Sequence, residues 1–266
     1  MARYPFTCAL VTGASSGIGH EIAVQLGMSG VSLVVVARRG DRLEELAARF
    51  KNVEVLVADL LTDVGLSSVE ARISDHAKTP IDLVVNNAGF GTSGLVQDLD
   101  VDRLTNEIRL NVVALTRLSH AAITAMIPRG RGYLLNVSSV ASFQAGPRLA
   151  VYSATKAYVT SFTEALHEEL RGTGVRVTAL CPGLTRTEFQ SVTNIYGTKD
   201  SATQYPNFAW LNPTEVARDG LNAVTHGKTL SIPGAFYKGL SAVSGITPRG
   251  LSRRIAALRT RRRNLV

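Results

Sequence analysis

The chain has little of what small disulfide scaffolds and metal sites are built from. Its 266 residues include two cysteines, Cys8 and Cys181, and one tryptophan. Two cysteines cannot form a disulfide framework or a cysteine-rich metal site, and both read as small core residues. His20, His76, His120, His167 and His226 are scattered without metal-ligand spacing, so no metal is expected. No apolar run approaches the roughly 20 residues of a bilayer span. The segment ahead of Gly13 carries one basic residue and no long apolar stretch, so a signal peptide is not expected. Acidic residues are missing after Asp219, where nine of the 29 Lys and Arg lie. The rest of the chain holds 20 basic against 21 acidic residues, so the net charge of +8 belongs to its end. A body that wrapped nucleic acid would be basic throughout; here only the tail is a candidate anion-binding surface.

What is present suits one folded domain with a large core. Hydrophobic residues make up 45% and charged residues 19%, too apolar for disorder. Residues 1–248 are expected to form that domain and 249–266 a basic tail, in a cytoplasmic protein. Strand-like runs at 7–11, 32–37, 53–58, 83–85, 133–137, 175–180 and 230–232 are rich in β-branched residues. Several are apolar without alternation, as parallel strands covered on both faces are. Helix-like stretches at 18–28, 42–50, 64–76, 103–126, 151–171 and 214–225 separate them. The last has Asn212 as cap, Pro213 in the first helical position and Glu215 three residues after the cap. This alternation predicts an α/β fold: a Rossmann-like, doubly wound parallel sheet of about seven strands, helices on both faces, ligands at the carboxyl ends. The irregular stretch 188–211, with Tyr196, Tyr205, Phe208 and Trp210, is long enough for a substrate lid or binding loop.

Gly13, Gly17 and Gly19 follow the first strand and open the first helix, with Ser15, Ser16 and Ile18 between them. Glycines there let backbone N–H groups approach a pyrophosphate at the helix N-terminus. Arg38 and Arg39 end the second strand, where a fold preferring NAD places a carboxylate for the ribose 2′-hydroxyl. A guanidinium pairs instead with a 2′-phosphate, so the position reads NADP(H). Tyr152 and Lys156, four apart in a helix, share a face. An ammonium about 4 Å from the phenol, at an effective dielectric near 20, is worth roughly 4 kcal/mol, or about 3 pKa units. On that reckoning the phenol is expected to fall towards the range useful for acid–base work.

Thr12-Gly13-x3-Gly17-x-Gly19, Asn86-Asn87-Ala88-Gly89, Asn111, Ser138-Ser139, Tyr152-x3-Lys156 and Pro182-Gly183 resemble, in order and spacing, the short-chain dehydrogenase/reductase family over residues 5–235. The resemblance implies a seven-stranded parallel sheet and hydride transfer between a nicotinamide and a carbonyl or alcohol. It makes Tyr152 the proton donor and Lys156 the residue that holds the nicotinamide ribose and lowers the phenol pKa. Ser139 would bond the substrate oxygen, with Ser138 structural, and Asn111 would support a water-linked proton path. Asp59 and Leu60 would meet the adenine, the backbone of Asn87, Ala88 and Gly89 the cofactor, and Pro182, Gly183, Thr185 and Thr187 the nicotinamide amide and phosphates. Thr185 stands where many relatives have a branched apolar residue. Ser15 and Ser16 lack the basic residue some NADP-preferring members carry beside the second glycine. A homo-oligomer, dimer or tetramer, is also implied.

These readings predict an NADPH-dependent reductase of a hydrophobic ketone or 3-oxoacyl compound. The C-terminal third is similar in pattern to relatives acting on long-chain 3-oxoacyl or mycolate-like substrates. The alternative is an NADP-binding regulator whose basic tail contacts nucleic acid or a protein partner; redox-sensing relatives typically lose the Tyr-x3-Lys pair that this chain keeps. Leu251, Ile255 and Leu258 place an apolar stripe on a basic tail helix. That stripe suits docking on the protein itself or a sister subunit, or contact with an anionic membrane surface.

Overall fold

The computed structural model describes residues 4–189 and 206–246. The tail, with its predicted amphipathic stripe, and Tyr196 and Tyr205 of the predicted lid lie outside the described residues. Seven strands form one sheet: β1 (Cys8–Thr12), β2 (Ser32–Ala37), β3 (Val53–Val57), β4 (Leu83–Asn86), β5 (Gly132–Val137), β6 (Val175–Leu180) and β7 (Leu230–Ser231). Their order is β3-β2-β1-β4-β5-β6-β7, and every pairing is parallel. All seven strands stand within a residue or two of their expected places.

Side-chain alternation sends successive residues to opposite faces, and both are apolar. Ala9, Val11, Val35, Val85 and Leu135 meet helices α1 (Gly17–Met28), α2 (Gly40–Ala47) and α7 (Pro213–Thr225). Leu10, Val34, Val36, Val84 and Leu134 meet α3 (Asp63–Ser74) and α5 (Leu115–Met126). Each fully buried Val or Leu contributes about 1.5–3 kcal/mol from area removed from water. α7 starts as predicted: the Thr214 N–H donates to Asn212 Oδ1 at 2.9 Å, with Pro213 next to the cap.

The helix expected over 103–126 is not uniform. α4 (Val101–Ile108) passes into a π-helical segment, Arg109–Ala114, before α5. A wider turn leaves the 3.6-residue apolar rhythm almost intact, so the sequence pattern hides it; such turns gather at functional sites. The continuous helical run Val101–Arg129 is long and apolar enough to cross a bilayer, although polar residues interrupt its sequence. Its Ala114, Leu115, Leu118, Ala122 and Met126 are buried, as in a core helix. The remaining α-helices among the described residues are α6 (Ala150–Glu169), which packs on β6, and α8 (Ala235–Ile246).

Candidate active site

Strand order reverses between β1 and β4, and helices leave those strands on opposite sides of the sheet. A crevice must open above their carboxyl ends. A cavity of about 1110 Å³ runs there, from Arg38, Arg39, Asp59 and Leu60 past the glycine turn to Tyr152 and Lys156. All the predicted site residues line it except Gly19 and Asn111. Gly19 acts beneath the turn instead: a Cβ on it would collide with Asn87 Nδ2 and the Gly13 carbonyl.

At the glycine end, Thr12 ties β1 to β4. Its Oγ1 donates to the Val85 carbonyl at 3.1 Å and accepts from the N–H groups of Asn87 and Ala88, both at 3.0 Å. Asn87 Nδ2 donates to the Thr12 carbonyl at 2.9 Å, so this side chain braces the turn while its backbone faces the cavity. Ser16 is the N-cap residue of α1, yet its hydroxyl caps no N–H. It accepts from Arg39 Nη2 at 2.8 Å, and Ser15 Oγ accepts from the same nitrogen at 3.0 Å. The basic residue missing beside the second glycine is thus supplied from the end of β2. An uncapped helix start beside exposed guanidinium groups fits a phosphorylated dinucleotide. Glu188 also reaches this end, its carboxylate bridging Arg39 at 3.0 Å and Arg42 at 2.7 Å; this pairing holds it below the usual carboxylate range.

At the other end, α6 carries Tyr152 and Lys156, both buried. Lys156 Nζ donates to the Val137 carbonyl at 2.8 Å and stands 5.9 Å from the centre of the Tyr152 ring. The phenol is pushed up to about 12, the reverse of the expectation. Burial is the largest cause, the Ser139 hydroxyl opposes it, and Glu107 and Cys181 add to it. Helical spacing places the two groups on one face but states neither their distance nor their dehydration, and dehydration wins. Burial likewise pushes Lys156 down to about 8.

The paired serines take different partners. Ser138 Oγ donates to the Lys156 carbonyl at 2.9 Å and lies 2.7 Å from Thr160 Oγ1, inside the core. Ser139 Oγ accepts from the Ala141 N–H at 3.1 Å and faces Tyr152. Asn111 sits in the π-helical segment, where Oδ1 accepts from the Phe90 N–H at 3.2 Å. Its Nδ2 donates to the Phe90 carbonyl at 2.8 Å and to Thr155 Oγ1 at 3.1 Å. A Cβ on Gly89 would lie 2.8 Å from Asn111 Oδ1 and 3.7 Å from Lys156 Nζ, so these two side chains approach each other across a bare glycine. Among the described residues, no three His, Cys, Asp or Glu side chains are grouped to hold a metal.

Residues 7–195 match the model of the short chain dehydrogenase family. The chain belongs to that family. It is 35% identical to an uncharacterized oxidoreductase of Staphylococcus epidermidis, over 70% of this chain and 81% of the relative. Another uncharacterized oxidoreductase, from Myxococcus xanthus, is 36% identical over 73% of this chain and 78% of the relative. Among solved structures, a short-chain dehydrogenase from Sphingobium yanoikuyae in complex with NADPH superposes with a TM-score of 0.79. It is 32% identical, covering 89% of this chain and 92% of the other. The bulky-bulky ketone specific alcohol dehydrogenase from Comamonas testosteroni gives 0.75 at 29% identity, over 97% and 93%.

This short-chain dehydrogenase has site features that the sequence reading missed. α8 was not expected, although Phe236, Leu240 and Val243 recur at i, i+4 and i+7; Gly239 and Gly245 within it mask the signal. Its Tyr237 donates to the Ala209 carbonyl at 2.7 Å and accepts from the Leu184 N–H at 3.1 Å. The Tyr237 ring lies directly against Gly183, leaving no room for a Cβ there, which fixes the loop after β6 beneath α8. Phe189 packs on Tyr152 with ring centres 5.8 Å apart. Thr185, the departure from the family pattern, is buried and turns its hydroxyl to the Gly183 carbonyl at 2.9 Å.

Proposed function

We propose that the protein is an NADPH-dependent carbonyl reductase for a large hydrophobic ketone or 3-oxoacyl compound. One observation carries the reading: a single cavity joins the Arg38–Arg39 pair to Tyr152, Ser139 and Lys156. The same cavity has apolar lining from Phe143, Leu149, Leu184, Phe189, Phe236 and Leu240, with Phe189 packed on Tyr152. Arg38 and Arg39 would hold the 2′-phosphate, the start of α1 the pyrophosphate, and Asp59 with Leu60 the adenine. A nicotinamide bound there would supply the hydride for the carbonyl carbon. Ser139 orients the carbonyl oxygen and Tyr152 protonates it. A phenol pushed up to about 12 is protonated at neutral pH, the state from which a donor starts. Lys156 holds the ribose, and Asn111 supports the path that returns a proton. The Sphingobium structure with NADPH and the bulky-ketone specificity named for the Comamonas enzyme agree with this reading.

The test is NADPH oxidation against aliphatic ketones of rising chain length, bulky aryl ketones, ketosteroids and 3-oxoacyl thioesters. Turnover should rise with apolar bulk and be at least tenfold faster with NADPH than with NADH. Turnover confined to small polar carbonyls, or equal use of both cofactors, contradicts it.

A further inference from the structure

Glu107, in the last turn of α4, is fully buried, and neither carboxylate oxygen has a hydrogen-bond partner. The buried Thr92 approaches it with its hydroxyl and backbone and favours the carboxylate, but without a hydrogen bond of good geometry. A lone carboxylate in such a place is costly unless it is protonated or matched by positive charge. Its position is close to the proposed chemistry. Asn111 follows one turn later, and α4 packs against α6, which carries Tyr152, Thr155 and Lys156. Around Glu107 stand Arg103 from its own helix, Thr92 from the segment after β4, and Lys156 from α6; its charge also acts on Tyr152. Arg103, Asn106 and Leu110 line the cavity while Glu107 does not, so the carboxyl lies behind the wall.

Two side chains can raise the charge on Lys156, Cys181 and Glu107. The Cys181 thiol is pushed up to about 11 by burial and is neutral near pH 7. Glu107 titrates near 7, so its carboxylate forms just below the pH at which Lys156 loses its proton, about 8.

We infer that Glu107 is a positioning residue for proton transfer: from behind the cavity wall its carboxylate keeps Lys156 an ammonium while Tyr152 gives up and regains its proton. The inference rests on the proposed roles of Tyr152 and Lys156. Proton balance is simple: Tyr152 donates to the substrate oxygen, Lys156 hands a proton back, and solvent restores Lys156. Glu107 exchanges nothing with substrate and acts only through charge.

The experiment follows the Lys156 side chain by carbon NMR during a pH titration of the cofactor-free protein, with Lys156→Arg identifying the signal. Glu107→Gln, of the same shape, should move the Lys156 midpoint to lower pH by on the order of one unit. The alkaline fall of kcat/KM should move with it. Glu107→Met, which keeps bulk but no polar atom, should give the same shift. An unchanged midpoint in Glu107→Gln overturns the inference. So does a moved midpoint with an unmoved kcat/KM profile, or a shift seen only with Met. Tyr152→Phe serves as the separate control: retained turnover there refutes the site reading, whereas the NMR midpoint reports on Glu107 alone.

Discussion

Replacing Glu107 by Gln should change how the protein's stability depends on pH, and burial sets the size of the effect. The carboxyl titrates near 4.5 when exposed and about 7 in the folded chain, with burial the largest cause and Arg103, Lys156 and Thr92 opposing it. Between those values the native state binds a proton that the unfolded state has released. Stability from this group is therefore fully present below about 4.5 and is lost as pH rises through about 7. Crossing that window costs the parent on the order of 3 kcal/mol. For a chain of this size that corresponds to roughly 6–12 °C in melting temperature. Gln cannot ionise, so the variant escapes the loss, although its buried amide carries a pH-independent cost of about 1–3 kcal/mol.

Thermal unfolding of parent and variant at pH 5, 6, 7 and 7.5 reads this term, because titrating groups other than Lys156 largely cancel in the difference. Up to pH 6 the difference reports on Glu107 alone; at pH 7 and 7.5 the lower Lys156 midpoint of the variant adds to its gain. The variant should melt at or below the parent at pH 5 and gain on it steadily up to pH 7.5. A difference that stays flat across the series would show that Glu107 is already ionised and solvated at pH 5, and the burial argument would fail.

Tyr152→Phe should lower turnover by at least about a hundredfold, the usual contribution of a positioned acid, while the NADPH dissociation constant stays within a few-fold; turnover within tenfold of the parent removes Tyr152 as donor. Lys156→Met should damage both turnover and NADPH affinity, read by steady-state kinetics and fluorescence titration. Arg38→Asp should weaken NADPH by charge repulsion and leave NADH equal or improved; equal binding of the two cofactors by the parent contradicts the 2′-phosphate reading. Gly183→Ala should lower the melting temperature and cofactor affinity because the new methyl meets the Tyr237 ring, and adding Tyr237→Ala should cost less than the two single changes predict.

The strands were legible because a central parallel strand is buried on both faces, so β-branched residues run together, as in Leu33–Val36 of β2. The glycine end of the cavity was legible because its glycine spacing lies in one short turn between β1 and α1. What crowds those glycines is distant chain: Asn87 and Ala88 at Gly13, Thr187 at Gly17 and Asn87 at Gly19. What escaped lies in long-range geometry. Arg39 meets Glu188 across 149 residues of sequence. Glu107 occupies a helix with polar neighbours, where a carboxylate reads as part of a solvated face until α6 and Thr92 are placed over it. The π-helical turn at Asn111 was invisible because one wider turn barely disturbs an apolar rhythm. The phenol of Tyr152 was misjudged for a related reason: spacing says which face a side chain takes, and only packing says how much water it has lost.

Packing behind the site also explains how α6 can present Tyr152 and Lys156 with a fixed orientation. Asn86 and Asn136 are partners in the β4–β5 register and both are buried. Asn86 Nδ2 donates to Asn136 Oδ1 at 2.9 Å and to Ser119 Oγ of α5 at 3.0 Å. Asn136 Nδ2 donates to Thr163 Oγ1 of α6 at 3.0 Å. One polar chain therefore crosses from α5 through two strands to α6. An apolar core of the same volume would tolerate small slides of α6 along the sheet, but each of these donors would then lose its partner, at about 1–3 kcal/mol apiece. The next links in the same direction are Ser138 to the Lys156 carbonyl and Lys156 to the Val137 carbonyl. The carboxyl end of β5 thus holds α6 at three successive points, Asn136, Val137 and Ser138, and Ser139 enters the cavity on the very next residue. The register of β5 fixes where α6 sits, and with it the helix from which Tyr152 faces Ser139 and Phe189.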